Sequence, residues 1–225
     1  MQVSVVIPTL NEAESLPRVL AELVQQAVDE IIVVDGGSHD GTPELAAVAG
    51  ACVVREARRG YGQACASGAA SASGDILVYL DADGADNPAN LPELLAPLLA
   101  GRADLVLGSR LAGKVLPGAM PWHQHFGNWL SSGLFRLLYD LPLTDLSPFR
   151  ALYRLRLPEL DMHEMTFGWP TEMIAKAARR SWRIIEVPVV YRPRYAGRSK
   201  ISGTLRGTLL ATYFIVSIIL RYAAR

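Results

Sequence analysis

Residues 74–84, GDILVYLDADG, place an apolar run directly before two closely spaced carboxylates. Residues 76–80 are continuously apolar, as expected of a strand that is covered on both faces of a sheet. Asp81 and Asp83 follow where that strand ends. Because ligands of open parallel sheets bind beyond the carboxyl ends of the strands, this stretch predicts an α/β fold with a ligand site at the strand exit.

Short apolar runs and helical patterns alternate on both sides of this stretch. Strands are predicted at residues 3–7, 31–34, 51–54, 76–80, 105–107, 149–155 and 184–190. The segments between them are typical of helices; Thr42-Pro43-Glu44, for example, offers a threonine N-cap and a proline in the first turn. This alternation predicts a mostly parallel sheet flanked by helices, with right-handed crossovers. An amphipathic or apolar helix is predicted at the C-terminal end.

Composition and motifs argue against several classes of protein. The 22 basic and 22 acidic residues give a formal net charge of zero, so no charge excess points to nucleic acid as a partner. No GxxxxGKS or GxxxxGKT sequence occurs, which excludes a P-loop, and no GxGxxG follows the first strand, which disfavours a dinucleotide fold. Cys52 and Cys65 have no CxxC spacing, so we expect two small buried residues in place of a zinc site.

The carboxylate pair is the first candidate for chemistry. Asp81 and Asp83 repel each other unless a cation or hydrogen bonds compensate, and oxygen ligands suit Mg²⁺ or Mn²⁺, which can bridge diphosphate oxygens. A plain Asp-rich loop is the alternative.

Asp35 ends another predicted strand before two glycines, where its carboxylate can accept hydrogen bonds from a base or ribose. A turn with Asp40-Gly41 and a helix cap is the alternative there.

Four motifs in the first half resemble family 2 glycosyltransferases. They are residues 5–12 (VVIPTLNE), 32–42 (IVVDGGSHDGT), 59–64 (RGYGQA) and 74–84. In the second half, Gly108-Ser109-Arg110, residues 145–152 (DLSPFRAL) and residues 194–203 (RYAGRSKISG) resemble the dolichyl-phosphate mannose and glucose synthase branch. The resemblance implies a GT-A fold and an inverting enzyme. Such enzymes move a hexose from UDP-glucose or GDP-mannose to a polyprenyl phosphate.

The resemblance also implies a set of donor-binding residues. Pro8, Leu10 and Glu12 are implied to line the nucleotide, and Val33 and Asp35 to contact the base and ribose. Relatives often have tyrosine where Leu10 stands, so this chain lacks the aromatic ring that could stack on the base there.

The same resemblance implies how the diphosphate is held. Asp81, Ala82 and Asp83 are implied to hold the donor, with Asp81 and Asp83 as ligands of Mg²⁺ or Mn²⁺. Three cations are implied to contact the phosphates: Arg110, Arg194 and Lys200. Positive side chains near a diphosphate stabilise its charge, and arginine suits bidentate binding.

Two catalytic residues are predicted: Arg110 beside the phosphates and Asp145 on the acceptor side. A phosphate nucleophile is already anionic, whereas a hydroxyl acceptor needs a general base. Asp145 is the candidate base, and a turn or capping role is the alternative. The adjoining motif reads Pro148-Phe149-Arg150 where relatives have glycine first, so the acceptor geometry is expected to differ.

Two apolar segments favour a lipid acceptor at a membrane surface. Residues 126–139 form a predicted amphipathic helix that includes Trp129, and residues 207–220 are almost entirely apolar between Arg206 and Arg221. The latter is shorter than the roughly 20 residues that a span requires, so attachment in the membrane interface is favoured over spanning. Core packing is the alternative for both segments.

These interpretations define the predicted organisation. Residues 1–203 are predicted to form a glycosyltransferase domain, with a nucleotide-binding half (1–110) and an acceptor half (111–203), and residues 204–225 an interfacial apolar helix. The expected partners are a nucleotide-diphosphate sugar, a polyprenyl phosphate and the membrane surface, with a peripheral location on the inner, cytoplasmic face. Transfer to a soluble hydroxyl acceptor, or a non-catalytic module that binds nucleotide sugars at a membrane, are the alternatives.

Overall fold

The structure, a computed structural model, describes the backbone of residues 1–197 and 205–224 and the side chains of residues 1–197 and 211–224. Within these residues, the strands are β1 (Val3–Thr9), β2 (Glu30–Asp35), β3 (Cys52–Arg55), β4 (Ile76–Tyr79), β5 (Leu105–Val115), β6 (Arg150–Tyr153) and β7 (Ile184–Tyr191). The helices are α1 (Leu16–Leu23), α2 (Thr42–Val48), α3 (Tyr61–Ser71), α4 (Leu91–Leu99), α5 (Trp122–Tyr139), α6 (Trp169–Arg179) and α7 (Leu205–Ala223).

The strands form a single sheet in the order β3-β2-β1-β4-β6-β5-β7. Every pairing is parallel except those of β6, which runs antiparallel to both of its neighbours, β4 and β5. The predicted α/β fold with a mostly parallel sheet is therefore confirmed. Because β6 from the second half lies between β4 and β5 from the first, the two halves share one sheet.

The side chains of the central strands alternate between two buried layers, as the period of two in a strand requires. Val6 and Leu77 face the layer that contains Phe135 of α5 and Trp169 of α6. Val5, Val33 and Val78 face the other layer, which contains the buried leucines of α1 and α4. Both faces are covered, which explains why the strands are continuously apolar.

Two predictions about residues of this sheet need correction. β5 extends from Leu105 to Val115, beyond the predicted residues 105–107, because β7 pairs with it twice across an irregularity between Ser109 and Lys114. Arg110 therefore lies within a strand instead of after one. Cys65 is buried as expected, but Cys52 is exposed because β3 is an edge strand.

The C-terminal helix α7 packs against α5 and α6. Ile218, Ile219 and Tyr222 are buried in the same layer as Trp169, and the Tyr139 hydroxyl of α5 donates to the Ile219 carbonyl at 2.7 Å. None of the helices in the described part of the chain combines the length and hydropathy needed to cross a membrane.

Asp104 joins the starts of β5 and β7. Its carboxylate accepts hydrogen bonds from the Arg183 amide at 2.8 Å and from the Arg183 guanidinium at 3.0 and 2.8 Å, and Arg156 adds an ion pair at 2.6 Å. The hydrogen bonds from Arg183 lower the pKa of Asp104 to about 2. A lowered pKa in the folded state stabilises the fold above the unfolded pKa, and this contribution is lost as the pH falls through 2.

We expect Asp104→Asn to reduce the free energy of unfolding by about 1–2 kcal/mol at pH 7, because a neutral amide keeps only part of these contacts. The difference from the wild type should shrink between pH 4 and pH 2, measured by urea denaturation. Glu44→Gln is the control: it removes an ion pair with Arg55 in which both side chains are mostly exposed, and it should change stability by less than about 0.5 kcal/mol. Equal effects of the two substitutions would contradict this account of Asp104.

Candidate active site

Two adjoining cavities lie at the carboxyl ends of the parallel strands. The first cavity, of about 630 Å³, is lined by the loops after β1 and β2. The second cavity, of about 610 Å³, is lined by residues of β5, α5 and α7. The side chains that line both cavities are Tyr61, Asp81, Asp83, Phe167 and Arg194. The predicted carboxylate pair therefore lies where the two cavities meet.

The first cavity contains most of the residues predicted to line a nucleotide. Pro8, Leu10, Glu12 and Ala82 line it, together with Gly36 and Gly37 of the loop after β2. Gly37 has a φ of 92°, a left-handed conformation that favours glycine. Because glycine has no side chain, the backbone of this loop forms part of the cavity wall.

Val33 and Asp35 are not among the side chains that line this cavity. Val33 is fully buried, since its position in β2 turns the side chain towards the layer of α1 and α4. The Asp35 carboxylate accepts hydrogen bonds from the Gly37 and Ser38 amides at 3.2 Å, which makes it part of the turn. The turn after β2 therefore holds the Asp35 carboxylate in place, and its contact with the base and ribose stays a prediction.

Each member of the carboxylate pair has a partner already. The Tyr61 hydroxyl donates to Asp81 Oδ1 at 3.0 Å, the Ala85 amide donates to Asp83 Oδ1 at 2.8 Å, and Arg194 Nη2 lies 2.7 Å from Asp83 Oδ2. Burial, with the adjacent charge of Asp83, raises the pKa of Asp81 to about 6. A divalent cation between the two carboxylates would offset the cost of burying Asp81 and the repulsion between Asp81 and Asp83.

The donor set fits a magnesium or manganese ion that is shared with a ligand. Within the described residues no group of three or more histidine, cysteine, aspartate or glutamate side chains could hold a metal. Two carboxylates are what Mg²⁺ sites commonly take from the protein when substrate phosphates complete the coordination. Asp81 and Asp83 would hold the ion, and Arg194 lies beside them as a cation for the phosphates.

Arg110 and Asp145 form a buried ion pair at the second cavity. Arg110 Nε and Nη2 each donate to an Asp145 carboxylate oxygen at 2.6 Å, and the Arg110 amide donates to Oδ2 at 2.9 Å. The Asp145 side chain is fully buried, and the Arg110 side chain is only 11% exposed. Burial alone would lower the pKa of Arg110, but the Asp145 carboxylate raises it above its usual range.

Local structure explains this arrangement. Glu186 of β7 accepts hydrogen bonds from the amides of Thr144 and Asp145 at 2.9–3.0 Å, which fixes their turn beside β5. Arg110 lines the second cavity, whereas Asp145 is not among its lining residues. With both oxygens bound to Arg110, the geometry favours a positioning role for Asp145 over the predicted role of general base.

Lys200, predicted to contact a phosphate, lies outside the described residues. Tyr61, Asp86 and Tyr191 are among the residues that line the cavities without a predicted role. Tyr61 belongs to the motif at residues 59–64, and its position at the first turn of α3 is the signal that sequence reasoning passed over. Tyr191 ends β7, and no local pattern distinguishes it from a core residue.

Comparison with known proteins decides the family. Residues 4–159 match the model described as Glycosyl transferase family 2. The chain belongs to glycosyl transferase family 2. Among curated relatives, an uncharacterized glycosyltransferase of Mycobacterium tuberculosis is 42% identical over 93% of this chain and 94% of the relative. An undecaprenyl-phosphate mannosyltransferase of Micrococcus luteus is 37% identical over 92% of this chain and 90% of the relative.

A solved structure supports the same assignment for this family 2 glycosyltransferase. Glucosyl-3-phosphoglycerate synthase from Mycobacterium tuberculosis, in complex with Mn²⁺, UDP and glucosyl-3-phosphoglycerate, is 27% identical with a TM-score of 0.76. The match covers 99% of this chain and 80% of that chain. The predicted GT-A fold and family are therefore confirmed.

The Tyr61 hydrogen bond gives a testable prediction about metal binding. Tyr61→Phe removes the donor that orients Asp81, and such partners of metal ligands commonly contribute 10- to 100-fold to metal affinity. We expect Mn²⁺ in the presence of UDP to bind roughly tenfold more weakly, measured by calorimetry. Tyr153→Phe is the matched control, since the Tyr153 hydroxyl donates to the Leu98 carbonyl and lines neither cavity. Unchanged affinity in Tyr61→Phe would show that this hydrogen bond does not orient a metal ligand.

Proposed function

We propose that this glycosyltransferase moves a hexose from UDP-glucose or GDP-mannose to a polyprenyl phosphate, with inversion at the anomeric carbon. The reaction would use Mg²⁺ or Mn²⁺ and take place at the inner, cytoplasmic face of the membrane. The observation that carries the proposal is the position of α5, which lines the second cavity on one side and exposes an apolar face on the other.

The residues at the meeting point of the two cavities indicate how the donor would be bound. A nucleotide in the first cavity would direct its diphosphate towards Asp81 and Asp83 and its sugar into the second cavity. The relative solved with Mn²⁺ and UDP supports this arrangement. A bound metal ion would neutralise negative charge on the diphosphate as the nucleotide leaves.

The chain's own residues would organise the displacement. A phosphate oxygen of the acceptor attacks the anomeric carbon, the bond from that carbon to the diphosphate oxygen breaks, and the electron pair leaves with the nucleoside diphosphate. Arg194 and Arg110 would stabilise the charge that develops on the phosphates. Asp145 would keep the Arg110 guanidinium in position. An anionic nucleophile needs no general base, which agrees with the buried state of Asp145.

The face of α5 towards the second cavity is mainly polar. It contributes His123, Gln124, Gly127, Asn128 and Ser131 to the cavity wall. Opposite α5, α7 contributes Ala211, Thr212 and Ile215. Two neighbouring helices therefore line the second cavity, and a phosphate head group attached to a lipid chain could enter between them.

The opposite face of α5 is apolar and exposed. Trp122, Phe126, Trp129 and Leu137 recur at the spacing of one helix face and are 73%, 56%, 68% and 78% exposed. Burying such side chains in lipid is favourable, and tryptophan is enriched at membrane interfaces. We name these four residues the α5 apolar face. Phe126 and Leu137 of the predicted amphipathic helix thus lie outside the core.

A second candidate is transfer to a small phosphorylated hydroxyl compound. The glucosyl-3-phosphoglycerate synthase structure favours it, since that relative was solved with its product glucosyl-3-phosphoglycerate. This reaction needs a proton acceptor for the hydroxyl. The buried Asp145 carboxylate is not directed at such an acceptor, which is why we rank this candidate second.

Vesicle experiments test the lipid proposal. The double substitution Trp122→Ser/Trp129→Ser should weaken binding to vesicles that contain phosphatidylglycerol and undecaprenyl phosphate by at least about tenfold, because burial of a large apolar side chain contributes roughly 1.5–3 kcal/mol. UDP binding should not change. Leu155→Ser is the control, since Leu155 is 77% exposed outside α5.

Three outcomes would count against the lipid acceptor. Wild-type protein that does not bind the vesicles would contradict membrane attachment. Transfer to 3-phosphoglycerate, with none to undecaprenyl phosphate, would support the second candidate. If the double substitution changed the oligomeric state in sedimentation and left vesicle binding intact, the α5 apolar face would be a contact between two copies of the chain.

A further inference from the structure

A third carboxyl group, that of Asp86, lies in the second cavity and is only 2% exposed. Its Oδ1 atom is buried and has no hydrogen-bond partner in the described part of the chain. An unpaired buried carboxyl oxygen is costly, because the group has lost water without gaining a donor. Such an atom at a cavity wall needs an explanation, and a ligand that donates a hydrogen bond to it would provide one.

The backbone around Asp86 is fixed, so the side chain is held at this position. Asp86 forms an isolated antiparallel bridge with Tyr191 of β7. On either side of it, Arg192 N donates to the Ala85 carbonyl at 2.8 Å and Val190 N donates to Asn90 Oδ1 at 2.9 Å. Preorganised groups of this kind suit recognition, because little ordering is needed when the ligand binds.

The location of Asp86 indicates which part of the ligand it meets. Asp81 and Asp83 line both cavities, whereas Asp86 and Arg110 line only the second. A diphosphate at the shared carboxylates would therefore direct the attached sugar, the next group along the donor, into the second cavity, which Asp86 lines. Burial raises the pKa of Asp86 well above its usual range, against the opposing charge of Arg110. A carboxyl group can accept a hydrogen bond from a sugar hydroxyl, or donate one to it when protonated.

We propose that the Asp86 carboxyl group hydrogen-bonds a hydroxyl of the hexose that is transferred, and thereby selects the sugar that this enzyme accepts. The inference rests on the proposed function, since it requires a nucleotide-sugar donor. Asp86 is then a specificity-determining residue, separate from the pair that would hold the metal.

The first test compares ligands with and without the sugar. UDP, UDP-glucose, GDP and GDP-mannose are titrated with Mn²⁺ into the wild type and Asp86→Ala by calorimetry. Asp86→Ala should bind the preferred sugar nucleotide about 10- to 100-fold more weakly and the matching nucleoside diphosphate within about twofold of the wild type. Its melting temperature should not fall, because the buried Oδ1 atom that is removed has no hydrogen-bond partner among the described residues. Asp140→Asn, an exposed residue after α5, should behave like the wild type in every titration.

The second test uses donors that lack one hexose hydroxyl at a time. In the wild type, one deoxy donor should bind about 10- to 100-fold more weakly than the parent. In Asp86→Ala the same deoxy donor and the parent should bind equally, because the interaction is already absent.

Several results would overturn the inference. If Asp86→Ala weakened the binding of the sugar nucleotide and of the nucleoside diphosphate equally, Asp86 would contribute to metal binding or to the fold and not to sugar recognition. A lower kcat with unchanged donor binding would make it a general base. Deoxy penalties identical in the wild type and Asp86→Ala would also exclude the contact. If the wild type bound neither donor, the proposed function itself would fail, which is distinguishable from these results.

Discussion

Asp83→Asn should lower kcat/KM for hexose transfer by about 1,000-fold, the scale on which the loss of one preorganised electrostatic contact reduces catalysis. Asp83 lies in both cavities beside Asp81, and its Oδ2 atom is paired with Arg194. Asparagine keeps an oxygen for the Ala85 amide, so the loop should stay folded. It lacks the charge that would hold Mn²⁺ against the diphosphate.

The measurement is the initial rate of nucleoside diphosphate release with saturating acceptor, at several Mn²⁺ concentrations. The wild-type rate should fall on chelation and recover when Mn²⁺ is added, whereas the residual rate of Asp83→Asn should respond weakly to the metal. Asp140→Asn serves as the control for a carboxylate outside both cavities. If kcat/KM of Asp83→Asn were within tenfold of the wild-type value, Asp83 would not be a ligand of a catalytic metal ion.

The second large effect is expected at the buried ion pair. Asp145→Ala should lower the free energy of unfolding by about 3–5 kcal/mol, because it leaves the Arg110 guanidinium buried without its counter-charge. For a chain of this size the melting temperature should fall by roughly 6–20 °C. Arg110→Met/Asp145→Ala removes both charges and should be less destabilised than Asp145→Ala. If the double substitution were as unstable as the sum of the single ones, the pair would not be coupled as the geometry indicates.

Activity measurements separate positioning from base catalysis at the same residue. If Asp145 orients Arg110, Asp145→Asn should lower kcat about 100-fold and leave the shape of the pH–rate profile unchanged. If Asp145 accepts a proton from a hydroxyl acceptor, the acidic limb of that profile should disappear in Asp145→Asn. The first result is the one we expect, since both carboxylate oxygens contact Arg110.

Much of the donor side could be predicted because its signals are local. The apolar run before Asp81 and Asp83 identifies a buried strand, and strand exits of a parallel sheet meet at one edge. Tyr61 shows the limit of such signals: it lies within one of the family motifs, but its hydrogen bond to Asp81 joins residues that are 20 positions apart. Val33 shows another limit, because residues that alternate along a buried strand are equally apolar on both faces.

The acceptor side was harder to predict because it depends on tertiary pairing. No pattern in the four residues of β6 indicates that this strand runs antiparallel between β4 and β5. The ion pair between Arg110 and Asp145 joins residues 35 apart, and only the fold reveals that Asp145 is buried. In the sequence, Asp86 does not differ from the other acidic residues of its loop. Only the structure shows its unpaired oxygen and its position in the cavity wall.

The most direct test of the central claim is the affinity of UDP and GDP with and without Mn²⁺, measured by calorimetry on the wild type and on Asp81→Asn/Asp83→Asn. The account predicts that at least one nucleoside diphosphate binds the wild type roughly 100-fold more tightly when Mn²⁺ is present, about 2.7 kcal/mol. In the double substitution this gain should be lost. Equal affinity of the wild type with and without the metal, for both nucleotides, would contradict the claim that Asp81 and Asp83 hold a donor diphosphate through a divalent cation.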